Sequence, residues 1–209
     1  MKNILCYGDS NTWGYVPITA ARYPHDVRWT GVAQAELGPG YHILEEGLNG
    51  RTTVFDSPFN DQLNGKAHLL CALMSHAPLD LAVVMLGTND LQLRHTAWDA
   101  ASGCATLIRM ILGSPLSFAG GKPRVLLVSP ILIGENIRDV DFTPIREHGR
   151  EESLLFAAHC RRTADRYGVD FLDAAAFASP SEEDAQHMTP QGHAALGRAM
   201  ADKIKEILG

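Results

Sequence analysis

The chain has 209 residues, of which 45% are hydrophobic and 20% charged. That length and balance suit one sizeable core and exclude disordered, fibrous and low-complexity classes. A formal net charge of -6 leaves no electrostatic footprint for nucleic acid or an anionic membrane surface.

The predicted elements alternate along the chain. A short apolar run, Ile4–Tyr7, reads as a buried strand and ends at Gly8-Asp9-Ser10. An irregular segment, Trp13–Arg28, follows. Trp29–Leu37 has helical spacing, with Trp29, Val32, Ala33 and Leu37 apolar. A second strand, His42–Glu46, leads into the turn Gly47-Leu48-Asn49-Gly50, and a helix is expected over Gly65–Met74. The third strand, Leu81–Met85, is apolar on both faces and ends at Gly87-Thr88-Asn89-Asp90. A helix over Ala97–Leu112, a fourth strand over Arg124–Val128, a long irregular segment over Pro130–Gly149 and a helix over Arg150–Tyr167 come next. A fifth strand, Asp170–Leu172, precedes Asp184-Ala185-Gln186-His187. The last helix, Pro190–Leu208, has Thr189 as N-cap and Pro190 at its first position. Its Ala195, Ala199, Ile204 and Leu208 are expected to face the core, with Lys203, Lys205 and Glu206 in water.

Continuous apolar strands between amphipathic helices predict an α/β/α sandwich around a parallel sheet with right-handed crossovers. Neither a linker nor an internal repeat interrupts the pattern, so residues 1–209 read as one domain. In such folds ligands bind beyond the carboxyl ends of the strands, where Gly8-Asp9-Ser10 and Gly87-Thr88-Asn89-Asp90 both fall. No stretch approaches membrane-spanning length, and the first residues lack the apolar region and cleavage site of a signal peptide. Cys6, Cys71, Cys104 and Cys160 form no C-x-x-C pair and read as buried, reduced thiols. A cytoplasmic location is the expectation.

The chemistry-bearing residues form a set. Ser10 is a candidate nucleophile, and a serine needs a base to remove its proton. His187 is the candidate base. Asp184, three residues earlier, can hold its Nδ1 and leave Nε2 for the serine. His193 is set aside because it lies inside the predicted last helix. Backbone N–H groups of Ser10 and Gly50 and the side-chain amide of Asn89 are candidate donors to an oxyanion. Taken singly, each segment reads equally well as a turn or a helix cap. Together they are the parts for nucleophilic acyl transfer. Competing motifs are missing: no G-x-S-x-G elbow, no phosphate-binding loop, no G-x-G-x-x-G after a strand, and neither H-E-x-x-H nor paired cysteines for a metal.

Gly8-Asp9-Ser10, Gly50, Gly87-x-Asn89-Asp90 and Asp184-x-x-His187 resemble, in order, the four sequence blocks of the SGNH (GDSL-type) hydrolases. The resemblance spans nearly the whole chain. Gly8-Asp9-Ser10-x-Thr12-Trp13-Gly14, Val27-Arg28-Trp29-Thr30-Gly31, Glu45-Glu46-Gly47-Leu48 and Arg51-Thr52-Thr53 make it most similar to the bacterial arylesterase and acyltransferase subgroup. One departure is that many members carry an asparagine shortly before the second-block glycine, where this chain has Glu45 or Glu46. The resemblance implies a flavodoxin-like three-layer fold with a five-stranded parallel sheet. It also implies Ser10 as nucleophile, His187 as base, Asp184 as its orienter, and an oxyanion hole from Ser10, Gly50 and Asn89. No cofactor and no metal is implied.

The expected activity is hydrolysis of short-chain aryl or alkyl esters through an acyl-enzyme, with acyl transfer to alcohols where the site is dry. Trp13, Tyr15, Phe142, Ile145 and Phe177 are candidates for lining the substrate channel, and ordinary core packing is the competing role for each. The alternatives are a carbohydrate O-acetylesterase on the same fold, a non-catalytic flavodoxin-like binding module, and a scaffolding descendant of the hydrolases. The partner expected is a small-molecule ester, with neither nucleic acid nor membrane. The resemblance implies a homo-oligomer, up to a high-order one, for which the apolar residues of Pro130–Gly149 are candidate contacts.

Overall fold

Strands that are apolar on both faces need a cover on each side, and the chain supplies two helical layers. The structure, a computed structural model, describes residues 1–58, 60–114, 122–136 and 147–209. Strands β1 (Lys2–Gly8), β2 (Tyr41–Gly47), β3 (Leu81–Met85), β4 (Arg124–Ser129) and β5 (Asp170–Asp173) form one parallel sheet in the order β2-β1-β3-β4-β5. The helices are α1 (Ser10–Trp13), α2 (Trp29–Leu37), α3 (Gly65–His76), α4 (Thr88–Gln92), α5 (Ala97–Gly113), α6 (Glu147–Tyr167) and α7 (Pro190–Leu208). This is the flavodoxin-like strand order, whose direction switches between β1 and β3.

Alternation along the strands sorts the core into two halves. Leu5, Tyr7, Ala82, Val84, Val125 and Leu127 meet α3, α5 and α6 on one face. Ile4, Cys6, Leu81, Val83, Leu126 and Val128 meet α2 and α7 on the other. All five expected strands are present, each slightly longer than expected or unchanged. Helix α6 begins three residues earlier than its expected start. Two elements escape periodicity altogether. Helices α1 and α4 have four and five residues, too short to show a helical repeat.

The core stripe of α7 differs from expectation. Its buried residues are His193, Leu196, Gly197, Met200, Ala201, Ile204 and Ile207. Ala195, Ala199 and Leu208 lie on its flanks, and of the four expected core positions only Ile204 is buried. Stepping by about four residues drifts across a face whose period is 3.6. Lys203 is not wet either: it is largely buried and its ammonium sits 2.7 Å from Glu206 and 3.8 Å from Asp170. Of the cysteines, Cys6, Cys104 and Cys160 are buried free thiols, whereas Cys71 is exposed on α3.

Two close contacts set the relative position of the strand ends. Gly47, at the end of β2, lies against the backbone of α1, where a Cβ would come within 2.2 Å of the Trp13 nitrogen. Asp90, wholly buried in α4, accepts from the Thr53 N–H at 3.0 Å and from the Thr53 hydroxyl. It thereby ties the end of β3 to the segment after β2. Burial raises the Asp90 carboxyl to about 7, against the lowering effect of the Thr53 bonds. An unfolded aspartate loses its proton near pH 3.9. The folded state therefore holds a proton the unfolded chain has lost, and this contribution to stability fades as pH rises from about 4 to about 7. Asp90→Asn keeps both partners, with Oδ1 accepting from the Thr53 N–H and Nδ2 donating to its hydroxyl. Calorimetry at about pH 5 and about pH 8 is expected to give a wild-type Tm that falls more steeply with pH than that of Asp90→Asn. Equal slopes would refute the assignment.

Candidate active site

Ser10 is the first residue of α1, directly beyond β1. A first-turn residue has no intrahelical partner for its N–H, so both its hydroxyl and its amide are available. The Ser10 hydroxyl lies 2.9 Å from His187 Nε2, and His187 Nδ1 lies 2.6 Å from Asp184 Oδ2. All three side chains are buried. With Nδ1–H donated to the carboxylate, Nε2 carries the lone pair that accepts from the serine hydroxyl. Asp184 Oδ1 accepts from the Ser181 hydroxyl and from the N–H groups of Gln186 and His187 at 2.9–3.0 Å. Burial opposes its charge, but these bonds and the one from the imidazole outweigh it and hold the Asp184 carboxyl below its ordinary range.

Gly50 and Asn89 come from the ends of the two strands that flank β1. Gly50 has φ +79°, a region that suits glycine. The Asn89 amide donates one N–H to the Arg51 carbonyl at 2.9 Å. That bond fixes the amide and leaves its second N–H for a ligand. Both residues wall the same small cavity. Arg51 is itself held from below: its guanidinium donates to the Gly8 carbonyl at 2.9 Å and to the Glu46 carbonyl, and it stacks 4.1 Å over the Tyr7 ring.

Three supporting residues were not expected. The Asn11 Oδ1 accepts from the Met188 N–H at 3.1 Å, and its amide donates to the Gln186 carbonyl at 3.2 Å. Asn11 thus clamps the histidine segment onto the serine turn. A lone asparagine after a serine carries no signal of this in a sequence. Ser181 does carry one, because Ser-x-x-Asp is the spacing at which a serine hydroxyl meets an acidic side chain and its N–H. The third is Arg51, whose role depends on long-range contacts to the ends of β1 and β2.

Of the residues expected to line the channel, Tyr15 stacks on the His187 ring with centroids 4.2 Å apart. Trp13 lies 6.4 Å from Tyr15 and carries the Arg22 guanidinium over its face at 5.2 Å. Phe142 and Ile145 lie outside the described residues. Phe177 is half exposed after a 3₁₀ turn, Ala174–Ala176. Among the described residues, no ring contact or hydrogen bond joins it to Ser10 or His187. His193 is fully buried, accepts from the Trp29 N–H at 3.2 Å through Nδ1, and has its pKa lowered by burial to about 4. It is a packing residue between α7 and α2. Glu45 accepts from Arg28 at 2.8 Å and from the Thr30 hydroxyl, joining β2 to the start of α2. Among the described residues no group of three or more His, Cys, Asp or Glu side chains could hold a metal ion, and no helix is long and apolar enough to cross a membrane.

Known proteins resemble this chain throughout its length. An aryl esterase from M. smegmatis is 38% identical, with complete coverage of both chains and a TM-score of 0.92. A carbohydrate acetylesterase from Sinorhizobium meliloti is 37% identical, again with complete coverage of both, at a TM-score of 0.93. A putative arylesterase from Agrobacterium tumefaciens is 36% identical over the whole of both chains, with a TM-score of 0.88. No curated protein matches by sequence. The GDSL-like lipase/acylhydrolase family model matches residues 6–195. A serine at the end of β1 bonded to a histidine before the last helix, on this fold and with this match, makes the chain a member of the GDSL-like lipase/acylhydrolase family, the SGNH hydrolases.

Proposed function

We propose that the protein is a serine esterase acting on short-chain carboxylic esters through an acyl-enzyme. The observation that carries this is the unbroken chain Asp184–His187–Ser10, with bonds of 2.6 and 2.9 Å. In this reading Ser10 attacks the ester carbonyl as His187 Nε2 takes its proton, and Asp184 stabilises the imidazolium that forms. Charge then develops on the carbonyl oxygen, which the Ser10 and Gly50 N–H groups and the free N–H of Asn89 receive. His187 next protonates the leaving alcohol. Water or a second alcohol, deprotonated by the same histidine, attacks the acyl-enzyme and frees Ser10.

The alcohol half of the substrate divides two readings. Tyr15, stacked on the His187 ring, presents flat apolar surface near the atom that must protonate the leaving group, which favours an aryl or alkyl alcohol. The similarity to a carbohydrate acetylesterase keeps an acetylated sugar as the second reading. Rates on aryl acetates compared with acetylated sugars decide between them.

Ser10→Ala is expected to lower kcat on p-nitrophenyl acetate by about 10⁴-fold or more with the fold intact. Asn89→Ala is expected to cost about 10²–10³-fold, mainly in kcat, because its donor acts in the transition state. A loss confined to KM would make Asn89 a substrate-binding residue. His193→Ala is expected to lower Tm, since it leaves the Trp29 N–H unpaired in the core, while kcat per folded molecule stays near wild type. A His193 variant as inactive as His187→Ala would reverse the choice of base.

Acyl transfer and self-association belong to the same proposal. With a vinyl ester and a primary alcohol in water, a transester product is expected alongside the acid. On gel filtration the protein is expected to elute well above its monomer mass of 22.7 kDa. A monomer that yields only acid would leave plain hydrolysis.

A further inference from the structure

A second cavity, of about 370 Å³, lies beside the edge strand β2, against α3. Its walls include Tyr7 of β1, Glu46 of β2, Arg51 beyond it, and Cys71 and Ser75, which stand four residues apart on one face of α3. None of Ser10, Gly50, Asn89, Asp184 and His187 lines it. The volume falls within the range of small-molecule sites.

Arg51 brings an incompletely satisfied charge to this cavity. The side chain is buried, at 5% exposure. Its guanidinium face is covered by the Tyr7 ring at 4.1 Å, and Nη1 makes both of its hydrogen bonds, to the Gly8 and Glu46 carbonyls. Nε is buried without a partner, and Nη2 has none among the described residues. Nε and Nη2 share one edge of the guanidinium, and their parallel N–H groups are spaced to meet the two oxygens of a carboxylate. Glu46 does not occupy this edge: it offers Arg51 its carbonyl, while its carboxylate lies 2.8 Å from His76 Nε2. A buried donor left unpaired is costly, and a ligand that pairs it removes that cost. Leu48 and Ala72 add apolar wall, which favours an organic acid over an inorganic anion. We propose that this cavity binds a small organic monocarboxylate, whose two oxygens accept from Nε and Nη2 of Arg51. The site stands apart from the proposed chemistry of Ser10 and does not depend on it.

The test uses Cys71 as reporter, because it lines the cavity and is exposed, whereas Cys6, Cys104 and Cys160 are buried. Alkylation of the whole protein by iodoacetamide, a neutral reagent, is followed by mass spectrometry in sodium benzoate and in an equal concentration of sodium chloride. Benzoate is expected to slow the reaction of Cys71 by about fivefold or more as the site fills. Benzamide keeps the shape without the charge, and inorganic phosphate keeps charge without an apolar part; both are expected to protect far less. Arg51→Lys replaces the planar fork by a point charge and is expected to raise the benzoate concentration for half-protection by about tenfold. Ser75→Glu puts a further carboxylate on the wall and is expected to raise it by about threefold or more, while Ser75→Gln leaves it unchanged. Ser75 is exposed, so this pair reports even if the Arg51 variant fails to fold. Absence of protection by benzoate would overturn the assignment, as would equal protection by benzamide or phosphate. A half-protection concentration unmoved by Arg51→Lys or by Ser75→Glu would overturn it as well, and so would a loss in Ser75→Gln equal to that in Ser75→Glu.

Discussion

The hydrogen bond between Ser10 and His187 joins positions 177 residues apart, and the sheet exists to make that bond at low entropic cost. Closing so long a loop in a flexible chain has no local reward. Here the closure is spread over the parallel pairings of β1, β3, β4 and β5, of which β1, β3 and β4 are buried on both faces. With β1 paired between β2 and β3, its carboxyl end opens at the switch between β1 and β3, and the first turn beyond it meets the segment before α7. Asn11 then holds the two together through two bonds to that segment. The groups proposed to react sit on neither a free loop nor a long side chain, so their geometry is set in the fold itself.

Much of this was legible before the structure. The inner strands are readable because they are largely apolar and are bounded by turn residues, as in Leu81–Met85. The site is readable because polar residues at the ends of such strands have no packing reason to be there. What was not legible depends on contacts between distant segments. The roles of Asn11 and Arg51 appear only when the ends of β1 and β2 and the histidine segment are set side by side. Phe177, a candidate for the channel, is half exposed after the turn that follows β5. The α7 stripe went astray through phase. His193, Leu196, Gly197, Met200 and Ala201 follow the 3.6-residue period from Pro190, whereas Ala195 and Ala199 lie beside it. His193 does lie inside the last helix, and its burial against Trp29 was not visible in the sequence.

The buried acids divide their charge in a way that suits the proposed mechanism. Three aspartates, Asp9, Asp90 and Asp184, are all but inaccessible to water. Asp9 adjoins the nucleophile, yet it accepts only from the Asn11 N–H through one oxygen, and its other oxygen has no partner among the described residues. Burial therefore pushes its carboxyl up to about 6. Asp90, with its Thr53 partners, is pushed up to about 7. Asp184 alone receives four hydrogen bonds, from Ser181, Gln186 and two atoms of His187, and alone is held low. A buried carboxylate stays ionised when hydrogen bonds replace its lost hydration. The difference in bonding thus makes Asp184, the acid aimed at His187 Nδ1, the most readily ionised of the three. Asp9, with one oxygen unpartnered among the described residues beside Ser10, carries a cost of burial that Asp184 does not.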